Sequence, residues 1–455
     1  MEKIKSVSEL GSGDIKQLLL KYAIPSVIAM VASSVYNITD SIFIGQGVGA
    51  LAISGLAITF PLMNLAAAFG SLVGVGAATL LSLRLGQKDY SSARKILGNV
   101  FILNIIFGVL YTVVILSFLS PILLFFGASQ DTLPYAREYM VVITLGNVIT
   151  HMYFGLNALL RASGEPRKSM MATVYSVLIN ATLTPLFIYK LELGIMGAAM
   201  ATIISQFCML VWQINFFSNK KRDIYLDKKS FKLDAKIVKD SLLIGTAPFL
   251  MNSVSSIIVI VFNQGLIRHG GDLAVGAYGI INRFAALFVM VIMGITQGMQ
   301  PIAGYNFGAR NMARVNQVLK YSIVYATIIV SIGFVIGELF PRQVASVFTT
   351  DKELIEIVIP GMRVVFAMFP IIGFQMVTSN FFQSIGHPGK AIFMSLSRQV
   401  IFLLPFLILF PSVLGIKGVW ISIPAADLMS SMVASYMLFV EYRKLINKTS
   451  KPIMQ

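Results

Sequence analysis

Two carboxylates, Asp40 and Asp427, stand deep inside long apolar stretches of the chain. An ionised side chain at mid-membrane costs roughly 2.5–3.5 kcal/mol even on insertion scales, so each marks a site for proton or cation chemistry by default. Asp40 shares a helical face with Tyr36, Asn37 and Ser33 while the rest of that stretch is apolar, which predicts a polar stripe looking into a wet cavity. Pro25, in the same helix, removes a backbone hydrogen bond and allows a bend as the site changes occupancy. The plainer alternative has Asp40 simply hydrogen-bonded to a neighbouring helix. Asp427 has two deep cations as candidate partners, Arg283 and Arg398. A fixed ion pair lowers the cost of both members and is the preferred reading; an independent second titrating site is the sharper one.

The elements that must hold these groups are membrane spans. Of 455 residues 56% are apolar and only 12% charged, about half the charge expected of a soluble domain. The single cysteine, Cys208, excludes a disulfide scaffold, and a mean hydropathy of +0.79 excludes disorder. With roughly 20 apolar residues needed per crossing, the chain divides into spans 1 to 6 at 18–44, 51–82, 96–119, 136–160, 169–189 and 194–217. Spans 7 to 12 follow at 237–267, 273–305, 317–340, 356–383, 390–411 and 417–440. The polar, acid-containing start, MEKIKSVSELGSGDIKQ, is not a cleavable signal peptide.

The net charge of +16 would suggest nucleic acid if the cations formed a face, but they cluster in alternate loops. One side carries 28 Lys and Arg against 7 on the other, with Arg283 left inside span 8. The positive-inside rule then predicts both termini in the cytoplasm of a multi-pass plasma (inner) membrane protein, and an even span count. The second half also repeats the first at a shift of about 222 residues: Leu85-Gly-Gln-Lys88 aligns with Phe307-Gly-Ala-Arg310, and Ala162-Ser-Gly-Glu-Pro166 with Ser384-Ile-Gly-His-Pro388. Six spans per copy give copies of the same topology, related by an axis along the membrane normal. The expected fold is therefore an all-α polytopic membrane protein of twelve helices in two six-helix lobes related by a pseudo-two-fold. Its parts are an N-terminal lobe (1–217), a basic cytoplasmic linker (218–236), a C-terminal lobe (237–441) and a cytoplasmic tail (442–455). Two lobes facing across a seam suit alternating access, so transport is favoured over duplication for stability alone.

The stretch Tyr36-Asn-Ile-Thr-Asp-Ser-Ile-Phe-Ile-Gly-Gln-Gly-Val-Gly49, followed by Ala52-Ile-Ser-Gly-Leu-Ala-Ile-Thr-Phe-Pro61, resembles the multidrug and toxic compound extrusion (MATE) family, more its DinF-like than its NorM-like branch. Leu85-Gly-Gln-Lys88, Arg161-Ala-Ser-Gly-Glu-Pro166 and Asn180-Ala-Thr-Leu-Thr-Pro-Leu-Phe-Ile188 carry the likeness along the chain. The resemblance implies antiport: a cation moving inward drives an amphipathic, often cationic compound outward. It assigns Pro25 to bending and Asp40 to coupling, with Asn180 of span 5 and Thr202 of span 6 beside it. An Asp is expected just before the span 5 proline, and here that position is Thr184. One negative charge is missing, so a proton is favoured as coupling ion over sodium. Ordinary interhelical hydrogen bonding is the alternative role of Asn180, Thr184 and Thr202.

Tyr36, Asn37, Asn157 and Asn263 are the candidate cavity residues; Asn263 occupies the position equivalent to Asp40, which makes the charge asymmetric between lobes. NorM-like acids of spans 7 and 10 are not evident, with Asn252 and Gln375 the nearby polar groups. His151, His269 and His387 are too dispersed for a metal site, and no nucleophile triad can be assembled, so neither enzyme chemistry nor a cofactor is expected. The glycines of spans 2 and 8 suit close helix packing rather than phosphate binding. The expected partners are the bilayer and small amphipathic or cationic substrates, with no nucleic acid, and the chain is expected to be a monomer. A flippase or exporter of lipid-linked saccharides is the rival, and it would need clustered Arg or Lys in the central cavity.

Overall fold

The computed structural model describes residues 5–227 and 230–449; linker positions 228–229 and tail positions 450–455, which the sequence places in the cytoplasm, lie outside it. Among the described residues the first half consists of α1 (Lys5–Ser12), α2 (Ile15–Gly47), α3 (Ala50–Gly86), α4 (Tyr90–Ser117), α5 (Leu119–Phe125), α6 (Leu133–Leu145), α7 (Asn147–Ala162), α8 (Pro166–Lys190) and α9 (Gly194–Ser218). The second half consists of α10 (Ala235–Gly271), α11 (Leu273–Gly308), α12 (Met312–Leu339), α13 (Pro341–Phe348), α14 (Lys352–Phe366), α15 (Phe369–Ser384), α16 (Pro388–Leu414) and α17 (Ile416–Thr449). Ten of these are long and apolar enough to cross a membrane, and two bent pairs, α6 with α7 and α14 with α15, raise the count to twelve if each is one span. The sequence reads spans 4 and 10 as single runs; the chain instead turns by 55° at Gly146 and by 50° near Ala367. A composition ruler sees length and apolarity, and neither break is marked by a run of polar residues.

The internal duplication is written into the backbone. Left-handed φ values occur at Gly49 and Gly271, at Lys88 and Arg310, and at Gly164 and Gly386, each pair separated by the repeat shift; Gly194 and Gly415 match one residue closer. Lys88 and Arg310 adopt a conformation that L side chains rarely take, and both immediately precede an N-cap. Asp89 caps α4 by accepting from the Ser92 amide, and Asn311 caps α12 by accepting from the Arg314 amide.

Contacts between the lobes obey the same symmetry. A Cβ on Gly245 of α10 would stand 1.8 Å from the Leu72 carbonyl of α3, and one on Gly298 of α11 would stand 2.6 Å from the Ala23 nitrogen of α2. Gly86 abuts the backbone of Tyr305, and Gly308 that of Leu83. Small residues here let backbones touch, which is how membrane helices gain packing without a hydrophobic driving force. Lobe membership is also exchanged at this end. Leu18, Leu19 and Tyr22 of α2 pack in the core of the second lobe, while Ile237 and Ile244 of α10 pack in that of the first. α1 straddles the junction: Val7 joins the first core and Leu10 the second, and the Leu10 carbonyl accepts from Asn306 and Arg314.

These contacts run from the basic end of the bundle to about mid-length, where the Ser34 hydroxyl donates to the Met290 sulfur and Phe69 meets Phe249. Beyond that point α2 exposes Val35, Ile38 and Ile42, and α11 exposes Leu287 and Arg283. The lobes are closed at the basic end and part toward the other.

Candidate functional site

Asp40 sits in the half of α2 away from the basic end, 5% exposed, and turns toward α8. The Thr184 hydroxyl donates to its Oδ1 at 3.3 Å and lies at the same distance from Asn180 Oδ1. One hydroxyl has one proton, so Thr184 serves the two oxygens in alternation or weakly at once. Asn180 Nδ2 donates to Thr202 Oγ1 at 3.3 Å, and Thr202 itself donates to the Ala198 carbonyl. With that proton committed, Tyr36 Oη is the donor of its 2.7 Å bond to Thr202. The result is a continuous line from Asp40 through Thr184, Asn180 and Thr202 to Tyr36, built by three helices. Asp40 is absent from the ion pairs of the described residues.

Beside this line is a pocket of about 140 Å³ lined by Ser33, Tyr36, Asn37, Thr173, Ser176 and Gln206 among others. The expectation that Asp40 itself looks into a wet cavity is corrected: Tyr36 and Asn37 line the pocket, and the carboxylate lies one turn beyond, against Thr184. Asn157 is also misplaced by the sequence. It is buried behind Thr173, to which it donates at 2.9 Å, while Tyr153 and Phe154 of the same helix reach the pocket. Thr173, Ser176 and Ser205 were missed. The signal existed: Thr173, Ser176, Asn180 and Thr184 fall on one face of α8 at helical spacing.

α8 is well suited to this position. Pro185 cannot donate to the Ala181 carbonyl, and the helix relaxes into a π-helical turn over Leu186–Lys190 directly after the site. Pro25 acts differently. α2 runs through it unbroken, with Pro25 buried and the Ser26 hydroxyl donating to the Tyr22 carbonyl at 2.9 Å.

In the second lobe Arg398 Nε donates to Asp427 Oδ1 at 2.6 Å, and Asp427 is 1% exposed. Arg283, the other candidate partner, is exposed on α11 and absent from the ion pairs of the described residues. Arg398 lines a chamber of about 270 Å³ between α3, α10, α11, α15 and α16, which also takes in Asn252, Gln375 and, from the first lobe, Arg161; Asp427 is not part of that lining. Asn263 lies outside both this chamber and the first-lobe pocket. From sequence Arg161 belongs to the positive loop after span 4 and to the motif Arg161-Ala-Ser-Gly-Glu-Pro166, and neither places it in a cavity.

A family model described as MatE matches residues 25–186 and 247–409, one copy in each lobe. The chain belongs to the MATE family. The multidrug export protein MepA of Staphylococcus haemolyticus (strain JCSC1435) is 27% identical over 433 residues, which is 95% of each chain. A multidrug resistance MATE family transporter of the MOP superfamily, solved in an outward-facing conformation, superposes with a TM-score of 0.91 at 26% identity over 98% of this chain and 100% of its own. A MATE protein solved in a bent conformation reaches 0.93 at 26% identity, covering 99% and 100%. An all-α, multi-pass membrane protein of the MATE type is thereby shown, and with it a transporter architecture.

Proposed function

We propose that this MATE protein exports small amphipathic, often cationic compounds across the plasma membrane in exchange for protons, by alternating access as a monomer. The observation that carries the reading is Asp40: a buried carboxylate held by the neutral Thr184 hydroxyl, which also reaches Asn180, with a polar pocket of about 140 Å³ one turn away. The multidrug export and multidrug resistance relatives support efflux as the activity.

In the mechanism, deprotonated Asp40 supplies the negative charge that draws a cationic substrate into the first lobe. Protonation removes that charge, and the freed Thr184 hydroxyl turns to Asn180. α2 then packs closer to α8 or bends at Pro25, which shrinks the pocket and expels the cation. Substrate and proton therefore compete for one lobe, which is the thermodynamic requirement of antiport. The basic end is read as cytoplasmic, so the lobes part toward the outside in this structure.

Expression in a host lacking its own efflux pumps tests the reading. Ethidium export should appear with this chain and vanish with Asp40→Asn at equal membrane abundance. Export that survives the substitution would refute Asp40 as the coupling group.

A further inference from the structure

The chamber beside Asp427 has the opposite electrostatic character from the Asp40 pocket. Two guanidiniums, Arg161 from the first lobe and Arg398 from the second, line it together. Asp427 neutralises one of them: it accepts from Arg398 Nε, which leaves the terminal nitrogens of a side chain that is 29% exposed. Arg161 has a hydroxyl for company, donating from Nη1 to Ser169 Oγ at 3.1 Å, and is absent from the ion pairs of the described residues. Asn252, Gln297, Gln375 and Gln399 add neutral carboxamides to the lining, and no carboxylate joins it. The net charge of the lining with its buried partner is therefore +1.

An arginine near a helix C-terminus compensates the macrodipole, and Arg161 ends α7. That role asks nothing of the neighbouring lobe. Here the guanidinium instead faces a shared chamber whose lining, with Asp427 counted, keeps one uncompensated positive charge, which costs free energy until an anion arrives. Guanidinium groups recognise carboxylates through paired N–H donors, and carboxamides complete the shell. The volume lies just under the usual range for a whole drug-sized ligand, so it suits the polar head of one. Met30, Met251, Met293 and Met376 form walls that adapt to what is attached.

We propose that this chamber is a second ligand subsite, which takes the carboxylate of a zwitterionic amphiphile through Arg161 and Arg398. It deepens the export reading, and rests on it for the passage of the ligand, by naming the side chains that hold the anionic end of a substrate.

Rhodamine B and its ethyl ester share a cationic chromophore and differ in one ionisable carboxyl, so their fluorescence anisotropy on the full-length protein in nanodiscs isolates the contact. Rhodamine B should bind about tenfold more tightly than the ester, the worth of a charge-assisted contact. Arg161→Gln should bring that ratio to within about twofold while leaving the ester's affinity unchanged. The double variant Arg398→Gln/Asp427→Asn, which keeps a neutral hydrogen-bonding pair in place of the ion pair, should do the same. Equal affinity for the two probes in the wild type, or a preference that survives in both variants, overturns the proposal. An analogue bearing a phosphate monoester that binds tighter still and loses its advantage in the same variants would overturn the carboxylate assignment in favour of phosphorylated amphiphiles. Ethidium export measured on the same protein separates the two readings: its absence refutes drug efflux, whereas ethidium export without carboxylate preference refutes this subsite alone.

Discussion

Asp40→Asn keeps the shape and most of the hydrogen bonding of the side chain while removing its charge, so its effect reads the charge alone. The variant should insert and fold at wild-type levels, yet lose at least about tenfold in ion-driven efflux, measured as ethidium export from energised vesicles. Thr184→Ala tests the adjoining link. With the hydroxyl gone, Asn180 Oδ1 and the carboxylate both lose a donor, which should cost roughly 1 kcal/mol in the deprotonated state; a several-fold rightward shift in the substrate concentration for half-maximal export checks it. At this scale the sequence was informative wherever a polar side chain interrupts an apolar run. Asp40, Asn180, Thr184 and Thr202 stand out in that way, and the structure brings them together. Asn157 stands out equally and points elsewhere, because helical periodicity says which residues share a face and not which neighbour that face meets. Arg161 was illegible for a different reason: a cation at the end of a span looks the same in sequence whether it faces lipid headgroups, water or an internal chamber.

α2 carries the coupling site and, through its basal half, the contact with the other lobe, so any change of shape along it links the two. A proline in a helix interior costs about 3 kcal/mol relative to alanine, and here that cost is borne at a buried position between Ala23 and Val27, both of which touch α11. Pro25→Ala restores the missing backbone bond and favours the straight helix. The variant should bind substrate within about twofold of wild type but turn over several-fold more slowly; unchanged turnover would show that α2 moves as a rigid rod. The span boundaries were readable because length and apolarity dictate them. The breaks at Gly146 and near Ala367, and the π-helical turn in α16, were not, since tertiary packing rather than local composition decides where these helices bend, whereas the π-helical turn of α8 follows a local cause, Pro185.

For the whole molecule, the repeat at a fixed shift predicted two like halves, and the paired left-handed residues and exchanged glycine contacts are that repeat in three dimensions. What the repeat does not encode is which end is closed. Lobe closure depends on the summed contacts of α2, α3, α10 and α11, and a duplicated sequence supports closure at either end. Orientation rests on the asymmetry of Lys and Arg between loops. In a chain with Cys208 replaced by serine, cysteines at Gln87 and Ala309 should react with an impermeant maleimide only after the membrane is opened, and cysteines at Gln130 and Asp351 on intact cells. Labelling of Ala309→Cys from outside would invert the topology.

The central claim is that one carboxylate, Asp40, couples proton entry to substrate exit. Purified protein reconstituted into proteoliposomes with imposed gradients tests it most directly. Efflux should follow a pH gradient without sodium, be indifferent to a sodium gradient at symmetric pH, and lose its response to the pH gradient in Asp40→Asn. Efflux driven by sodium at symmetric pH, and unmoved by a pH gradient in its absence, would contradict the account and assign the oxygens of Asp40, Thr184 and Asn180 to a sodium site.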